Sequence, residues 1–195
     1  EPVYTEASSS WQKAFSAEKF ALQNNLSIVI NTVPFYKKSI LPSSKVKCAG
    51  IIVQQGKVIC PPKENYCALC FYKDTRGFKA LILDSQSSVV PQNCFYAAGG
   101  FWTILFKNSI YEFKDIKDYR TAVGTENGGK ILLILAGKKL SFMDCAKILL
   151  EYGAEKAMEF DGGSSTLLLE NQKKMISSPI TAKAPAYLGF KFTGK

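Results

Sequence analysis

The chain has 195 residues, of which 47% are hydrophobic and 21% charged, and its formal net charge is +9. This composition is typical of one globular domain, and no apolar run reaches the roughly 20 residues of a membrane-spanning helix. The sequence contains no histidine, which excludes Ser-His-Asp and Cys-His nucleophile systems as well as histidine-bound zinc.

The first predicted elements are a helix and a central strand. Residues 1–10 carry no periodic pattern, so we expect a loosely structured segment. Ser16–Gln23 predicts a short helix with Ser16 as its N-cap, and the β-branched run Leu26–Thr32 predicts a strand. We therefore divide the chain into an N-terminal extension, residues 1–15, and one domain, residues 16–195.

Short strands joined by turn signals dominate the middle of the chain. They are predicted at Gly50–Gln54, Val58–Cys60, Tyr66–Tyr72, Phe78–Leu83, Phe95–Ala98 and Thr103–Phe106, followed by Ile110–Phe113. Such closely spaced strands indicate hairpins and therefore a largely antiparallel sheet.

The last third adds a hairpin, a helix and three strands. Arg120–Thr125 and Lys130–Ala136 flank the turn sequence Glu126-Asn127-Gly128-Gly129, a strong hairpin signal. Ser141–Tyr152 predicts a helix with a capping box and Gly153 after its end. The final strands are predicted at Lys156–Phe160, Thr166–Glu170 and near Tyr187–Phe192. We therefore predict a single α+β domain: a largely antiparallel mixed β-sheet with hairpins and two or more packed helices.

The charged residues and cysteines limit the function further. The positive charge comes from 23 lysines and two arginines, and the lysines are spread along the chain. This favours a solvated surface, with attraction of anionic substrates as the functional alternative. Basic and aromatic residues do not interleave in a patch, so we expect no nucleic-acid binding. The six cysteines permit three disulfides, but we expect mostly free, buried thiols.

The most informative segment is Asp161-Gly162-Gly163-Ser164-Ser165-Thr166, because it places a carboxylate where a strand stops. An acid beside exposed amides and hydroxyls can orient a sugar, a phosphate or a metal. Asp161 is therefore the first candidate for a catalytic or substrate-orienting group, with a turn-capping role as the alternative.

Several segments, taken in chain order, resemble the phosphodiester glycosidase family. They are Ile30–Phe35, Ala98–Phe101, Arg120-Thr121-Ala122-Val123-Gly124, Ile131–Ile134, the helix end Tyr152-Gly153-Ala154, and Asp161–Thr166. The resemblance extends from Leu26 to Phe192. It implies a hydrolase that removes a sugar from a sugar-phosphate diester. Two departures affect sugar preference: Thr32-Val33-Pro34 follows Asn31 where members often have small residues, and Glu159 stands where members often have Asn.

Glu159 is the second candidate for the chemistry. Glu159 and Asp161 are two residues apart on a predicted strand, so they should share a face with Cα atoms about 7 Å apart. Carboxyl pairs at such separations act as acid and nucleophile or base in glycoside hydrolysis. The alternative for Glu159 is a solvent-facing sheet residue.

Arg120 is predicted to grip the phosphate through two parallel hydrogen bonds, unless it forms a structural ion pair with Asp118 or Glu159. Thr121 is a minor ligand candidate, and sheet packing is its alternative. Asn31 could hold a sugar hydroxyl or cap a turn.

The glycine–serine turn is the candidate anion site. The amides of Gly162 and Gly163, with Ser164 and Ser165, could form an anion-binding concavity or a self-satisfied turn. Gly100 is predicted to let a ligand or another backbone approach closely. For the neighbouring aromatics Phe101 and Trp102, core packing is favoured over sugar stacking.

The sequence thus predicts a hydrolase that cleaves the glycosidic bond of a sugar-1-phosphodiester. The alternative is a non-catalytic module that binds anionic glycans or cell-envelope polymers. No cofactor is predicted, and a divalent cation near Asp161 stays open because hard cations prefer carboxylate and hydroxyl oxygens. The chain begins with Glu1 rather than methionine, and we expect an exported protein whose signal segment is not in this chain. Nothing in the sequence indicates the oligomeric state.

Overall fold

The computed structural model describes residues 1–39, 44–75, 77–179 and 183–192. The early strands are β1 (Pro2–Tyr4), β2 (Ile28–Asn31), β3 (Phe35–Lys37), β4 (Val46–Cys48), β5 (Ile52–Gln54), β6 (Lys57–Cys60) and β7 (Ala68–Asp74). The middle strands are β8 (Gly77–Leu83), β9 (Cys94–Gly99), β10 (Thr103–Phe106), β11 (Ser109–Ile110), β12 (Asp118–Glu126) and β13 (Ile131–Leu140). The late strands are β14 (Lys156–Glu159), β15 (Leu167–Glu170), β16 (Lys173–Ser177) and β17 (Tyr187–Phe190). The helices are α1 (Ala17–Asn24) and α2 (Phe142–Glu151).

The strands form three five-stranded sheets and one small hairpin. The first sheet has the order β1-β17-β2-β15-β16, the second β11-β10-β14-β12-β13, and the third β6-β5-β9-β7-β8, while β3 pairs with β4. The strand pairs within the described residues are antiparallel. The predicted α+β class with a largely antiparallel sheet is therefore confirmed.

All three sheets contribute to one central apolar core. Ile30 of the first sheet, Val123 and Met158 of the second, and Ile52 and Leu69 of the third are fully buried or nearly so in this core. The other faces of the first two sheets are covered by the helices: α1 packs on the first sheet and α2 on the second. Neither helix is long and apolar enough to cross a membrane.

Both helices begin where the sequence places their caps. The Ser16 hydroxyl accepts from the Lys19 amide at the start of α1. Ser141 and Asp144 form a reciprocal capping box at the start of α2, which satisfies two otherwise unpaired amides. The predicted hairpin is also present, since β12 pairs with β13 across a turn in which Gly128 has φ 62°.

The N-terminal segment differs from the expectation for residues 1–10. Pro2–Tyr4 forms β1 and pairs with β17 at the edge of the first sheet. The strand is short and lies at an edge, so its sequence carries almost no periodicity. The division between extension and domain at residue 16 stays a prediction.

The alternation of β14 positions the site. Met158 and the following Phe160 face the central core, whereas Ala157 faces α2. In the register Ala122 is opposite Glu159, so the Glu159 side chain is also on the α2 side. Beyond Phe160 the chain leaves the second sheet, because the Asp161 amide donates to the Thr32 carbonyl of the segment after β2, at 3.0 Å.

Candidate active site

Asp161 lies where the first and second sheets meet, and its side chain is half-buried. The Ser165 side chain and the Gly162 amide lie beside its carboxylate and favour the ionised form, and the Lys37 ammonium adds a favourable charge interaction. Burial raises the pKa of Asp161 to about 6, against the opposing effect of these three groups. The group is therefore an accessible carboxyl that changes its protonation state close to neutral pH.

Asn31 holds the backbone of Asp161 in place. Its amide nitrogen donates to the Asp161 carbonyl at 2.7 Å. Its amide oxygen accepts from the Thr121 hydroxyl at 2.8 Å and from the Leu167 amide at 3.0 Å. One side chain thus joins the ends of β2, β14 and β15 to β12.

This geometry corrects the predicted roles of Asn31 and Thr121. Both residues are 0% exposed, and the polar atoms of the Asn31 side chain already have protein partners. Neither side chain can reach a sugar or a phosphate in this arrangement. They act as positioning residues for Asp161 rather than as ligands.

The glycine–serine turn follows Asp161 directly. Gly163–Ser165 forms a single 3-10 turn, and Gly163 has φ 57°, a conformation that favours glycine. Ser164 is exposed, whereas Ser165 is buried and its side chain lies beside the Asp161 carboxylate. The Gly162 amide also faces that carboxylate, so part of the predicted anion concavity is already used by the acid.

Gly162 packs against the start of β12. A Cβ atom at Gly162 would lie 2.9 Å from the Tyr119 carbonyl oxygen and 3.7 Å from Nη1 of Arg120. The absence of a side chain therefore lets the turn and Arg120 approach each other closely.

Arg120 is half-buried beside this turn, and two of its five N–H donors bind backbone carbonyls. Its Nε donates to the Leu140 carbonyl at 3.2 Å and its Nη2 to the Ile116 carbonyl at 2.7 Å. The guanidinium carbon lies 4.2 Å from the centre of the Phe142 ring. Within the described residues no ion pair to Arg120 occurs, so the structural ion pair considered above is absent. Nη1 lies near Gly162, and the two-pronged grip of Arg120 on a phosphate stays a prediction.

Glu159 lies in entirely different surroundings from Asp161. It is 0% exposed, and in the described part of the chain neither carboxyl oxygen has a well-formed hydrogen bond. Burial raises its pKa to about 8, while the Cys145 thiol and the Arg120 charge act in the opposite direction. At neutral pH Glu159 is therefore mostly protonated.

The predicted pair of neighbouring carboxylates is thus not formed. Glu159 follows the alternation of β14 and points toward α2, whereas Asp161 lies beyond the strand and has other neighbours. A sealed carboxylic acid cannot contact substrate, so we do not assign Glu159 to the chemistry.

Gly100 has a packing role. A Cβ atom there would collide with the Glu159 carbonyl oxygen and the Met158 methyl group. Gly100 therefore lies in close contact with the end of β14, and a side chain at position 100 would not fit. Of the neighbouring aromatics, Phe101 is half-buried, but Trp102 is 39% exposed and lines a cavity of about 350 Å³ with Tyr111.

Lys37 is the site residue that the sequence did not indicate. It ends the short strand β3 and is one of 23 lysines. Its interaction with Asp161 depends on the fold, so no local pattern could have identified it. Among the described residues there is no group of three or more Cys, Asp or Glu side chains that could hold a metal ion.

Together, the three sheets and the half-buried acid beside the Lys37 ammonium define an α+β protein with a candidate active site. The family model of the phosphodiester glycosidases matches residues 16–190, and the chain belongs to this family. No curated protein sequence matches the chain significantly.

Three solved structures share the fold. The zebrafish N-acetylglucosamine-1-phosphodiester alpha-N-acetylglucosaminidase catalytic domain, auto-inhibited by its pro-peptide, is 18% identical with a TM-score of 0.67, covering 91% of this chain and 67% of that one. A hypothetical protein from Synechocystis is 13% identical (TM-score 0.66; 97% and 56% covered). A Burkholderia pseudomallei protein predicted to be exported is 10% identical (TM-score 0.71; 96% and 71% covered). The chain thus spans 56–71% of the length of these structures.

Proposed function

We propose that the protein is a hydrolase that cleaves the glycosidic bond of a sugar-1-phosphodiester and releases free sugar and a phosphomonoester. The observation that carries this proposal is the half-open Asp161 carboxyl, held between Lys37 and the glycine–serine turn in a chain of this family. Export of the protein is part of the proposal, and the fold shared with a protein predicted to be exported supports it.

Asp161 would act in its ionised form. A carboxylate here stabilises positive charge that develops at the anomeric carbon, or removes a proton from the attacking water. The leaving group is a phosphomonoester, which departs readily without strong acid assistance. The sealed position of Glu159 is compatible with this reaction, because no second carboxyl is needed to protonate the leaving group.

Cationic groups would orient the phosphate. Lys37 is exposed near Asp161, and Nη1 of Arg120 faces Gly162. The net charge of +9 adds long-range attraction for a diester anion. The exposed Ser164 hydroxyl and the Gly163 amide complete the candidate phosphate contacts.

The direct test is hydrolysis of a sugar-1-phosphodiester in oxygen-isotope-labelled water. Cleavage of the glycosidic bond places the label in the free sugar, whereas cleavage at phosphorus places it in the phosphate product. We expect labelled sugar from the wild-type protein and no release above background from Asp161→Asn. Labelled phosphate would contradict the proposed reaction.

The alternative function is a non-catalytic module that binds anionic glycans, which the net charge of +9 favours. It predicts saturable glycan binding that weakens with salt, without any product, and equal binding by wild type and Asp161→Asn. Product release and glycan binding, both measured on the wild type and on Asp161→Asn, therefore distinguish the two functions.

A further inference from the structure

The cysteines are arranged in a way that the candidate active site does not use. The structure holds all six as buried thiols. Four of them form two neighbouring pairs, and the remaining two, Cys67 and Cys145, have no cysteine partner among the described residues. The pairs are Cys48 with Cys60 and Cys70 with Cys94.

The first pair faces a cavity. Cys48 ends β4 and Cys60 ends β6, and both line a cavity of about 450 Å³ together with Lys63. The two thiols are close enough to interact with each other, and the Cys60 thiol donates to the Ser8 carbonyl at 3.5 Å. The cavity therefore brings an oxidant up to this pair of residues.

The second pair is brought together by an irregularity in the third sheet. Along β7 and β9, Phe71 is opposite Tyr96 but Tyr72 is opposite Cys94, so Phe95 is an extra residue on β9. Because of this bulge, Cys94 falls on the same sheet face as Cys70, where the two thiols interact, and the Cys94 thiol donates to the Tyr96 carbonyl at 3.1 Å. Cys94 also lines a cavity of about 520 Å³ with Tyr72.

We propose that Cys48–Cys60 and Cys70–Cys94 are two disulfide sites, which close by thiol–disulfide exchange with a disulfide oxidant. One thiolate of a pair attacks the oxidant, forms a mixed disulfide and releases one thiol. The second cysteine then displaces the other thiol and closes the protein disulfide. Each pair gives up two protons and two electrons, which convert one oxidant disulfide into two thiols.

The roles within each pair follow from their surroundings. Cys60 has its pKa lowered by the hydrogen bond from Cys48 and by the positive charge of Lys47. Cys94 has its pKa lowered by the hydrogen bond from Cys70. The thiolate is the attacking form, so these two residues are the expected nucleophiles. Burial raises the pKa of Cys67 and of Cys145 far above the usual range, which keeps both inert.

The two bonds would tie the third sheet together. Cys48–Cys60 connects the end of the β3–β4 hairpin to an edge strand, and Cys70–Cys94 connects two adjacent strands. Oxidants of this class are abundant outside the reducing cytoplasm, so the bonds fit the proposed export. The proposal does not depend on catalytic activity.

The test counts thiols in the full chain after exposure to oxidised glutathione. Denatured protein is alkylated with N-ethylmaleimide, digested and mapped by mass spectrometry. We expect two alkylated cysteines, Cys67 and Cys145, and an intact mass about 4 Da below that of the reduced chain, since four hydrogens are lost. Six alkylated cysteines, or cross-links that include Cys67 or Cys145, would overturn the proposal.

Two sets of variants separate bond formation from folding. Cys67→Ser and Cys145→Ser should leave the cross-link map unchanged, whereas Cys48→Ser should remove one bond and leave Cys70–Cys94 intact. Reduction should lower the Tm of the oxidised wild type by roughly 5–10 °C. A variant with Ser at all four paired positions should show no such shift, and an equal shift in that variant would refute the assignment.

Discussion

Asp161 and Glu159 are two residues apart, yet their environments are opposite. Asp161 is half-buried beside the Ser165 side chain, the Gly162 amide and the Lys37 ammonium, and its pKa is raised to about 6. Glu159 is sealed on the α2 face without well-formed hydrogen bonds, and its pKa is raised to about 8. Burial alone therefore raises the pKa of a carboxyl group without making that group suitable for catalysis. Access to solvent, together with neighbouring groups that favour the ionised form, distinguishes Asp161 as the candidate catalytic carboxylate.

The largest expected effect is the difference in rate between variants of these two residues. Asp161→Asn removes the charge and should reduce kcat/KM on a sugar-1-phosphodiester by about 100-fold to 10,000-fold. Glu159→Gln has the same change in size and charge, yet it should alter the rate less than about threefold because Glu159 is protonated at neutral pH. Steady-state kinetics at pH 7 measure both, and comparable losses would show that the two carboxyls act together.

The second effect concerns the side chain that positions Asp161. Asn31→Ala leaves the Thr121 hydroxyl, the Leu167 amide and the Asp161 carbonyl without their partner. It should lower the free energy of unfolding by about 3 kcal/mol. It should also lower kcat, with a smaller change in KM. Urea denaturation and kinetics measure these changes. Asn24→Ala, which loses one half-buried hydrogen bond in α1, is the matched control and should leave kcat unchanged.

The third effect is a pH dependence of stability that Glu159 imposes. Because its pKa rises from an ordinary 4.5 to about 8 on folding, the folded protein binds the proton more tightly than the unfolded chain. The contribution of this proton to the free energy of unfolding is complete below pH 4.5. It is lost as the pH rises toward 8, by about 1.4 kcal/mol per pH unit. Denaturation midpoints across this range should fall less steeply in Glu159→Gln. Identical slopes in the two proteins would place the titrating group elsewhere.

The fourth effect is the pH dependence of the rate. Asp161 must be ionised to act as proposed, so kcat/KM should rise tenfold per pH unit below about 6 and level off above it. In the Glu159→Gln variant, kcat/KM should show the same rise below about pH 6. A rate that instead falls above pH 6 would assign Asp161 the role of an acid.

The smallest effect tests the cation beside Asp161. Lys37→Met should raise KM for a diester anion by roughly twofold to tenfold, and the difference should shrink at high salt. Lys38→Met removes the same charge from the next residue and serves as the control. Equal changes in both variants would indicate only a loss of overall charge.

Local signals explain which parts of the fold could be predicted. Ser16 and Ser141 are strong caps, and the turn before β13 contains two glycines, so these elements follow from a few adjacent residues. The strands β1, β3, β4 and β16 were not predicted from the sequence. They are short and lie at sheet edges or in a small hairpin, where long-range pairing outweighs sequence pattern.

The site shows the same limit. Asp161 and its turn were predicted because a strand ends there in glycines and hydroxyls. Alternation along one strand predicted that Glu159 and Asp161 share a face. The chain crosses between sheets after Phe160, so the rule does not extend to Asp161, and Glu159 is buried on the α2 side rather than facing solvent. The inward role of Asn31 and the position of Lys37 depend on contacts between distant segments, which no local pattern contains.

The Asn31 side chain has a consequence for how activity is acquired. It bonds to groups that lie 90, 130 and 136 residues further along the chain. Contacts of such sequence separation form slowly. We therefore expect catalytic competence to emerge only with the last step of refolding, which would make turnover a sensitive reporter of the completed native state.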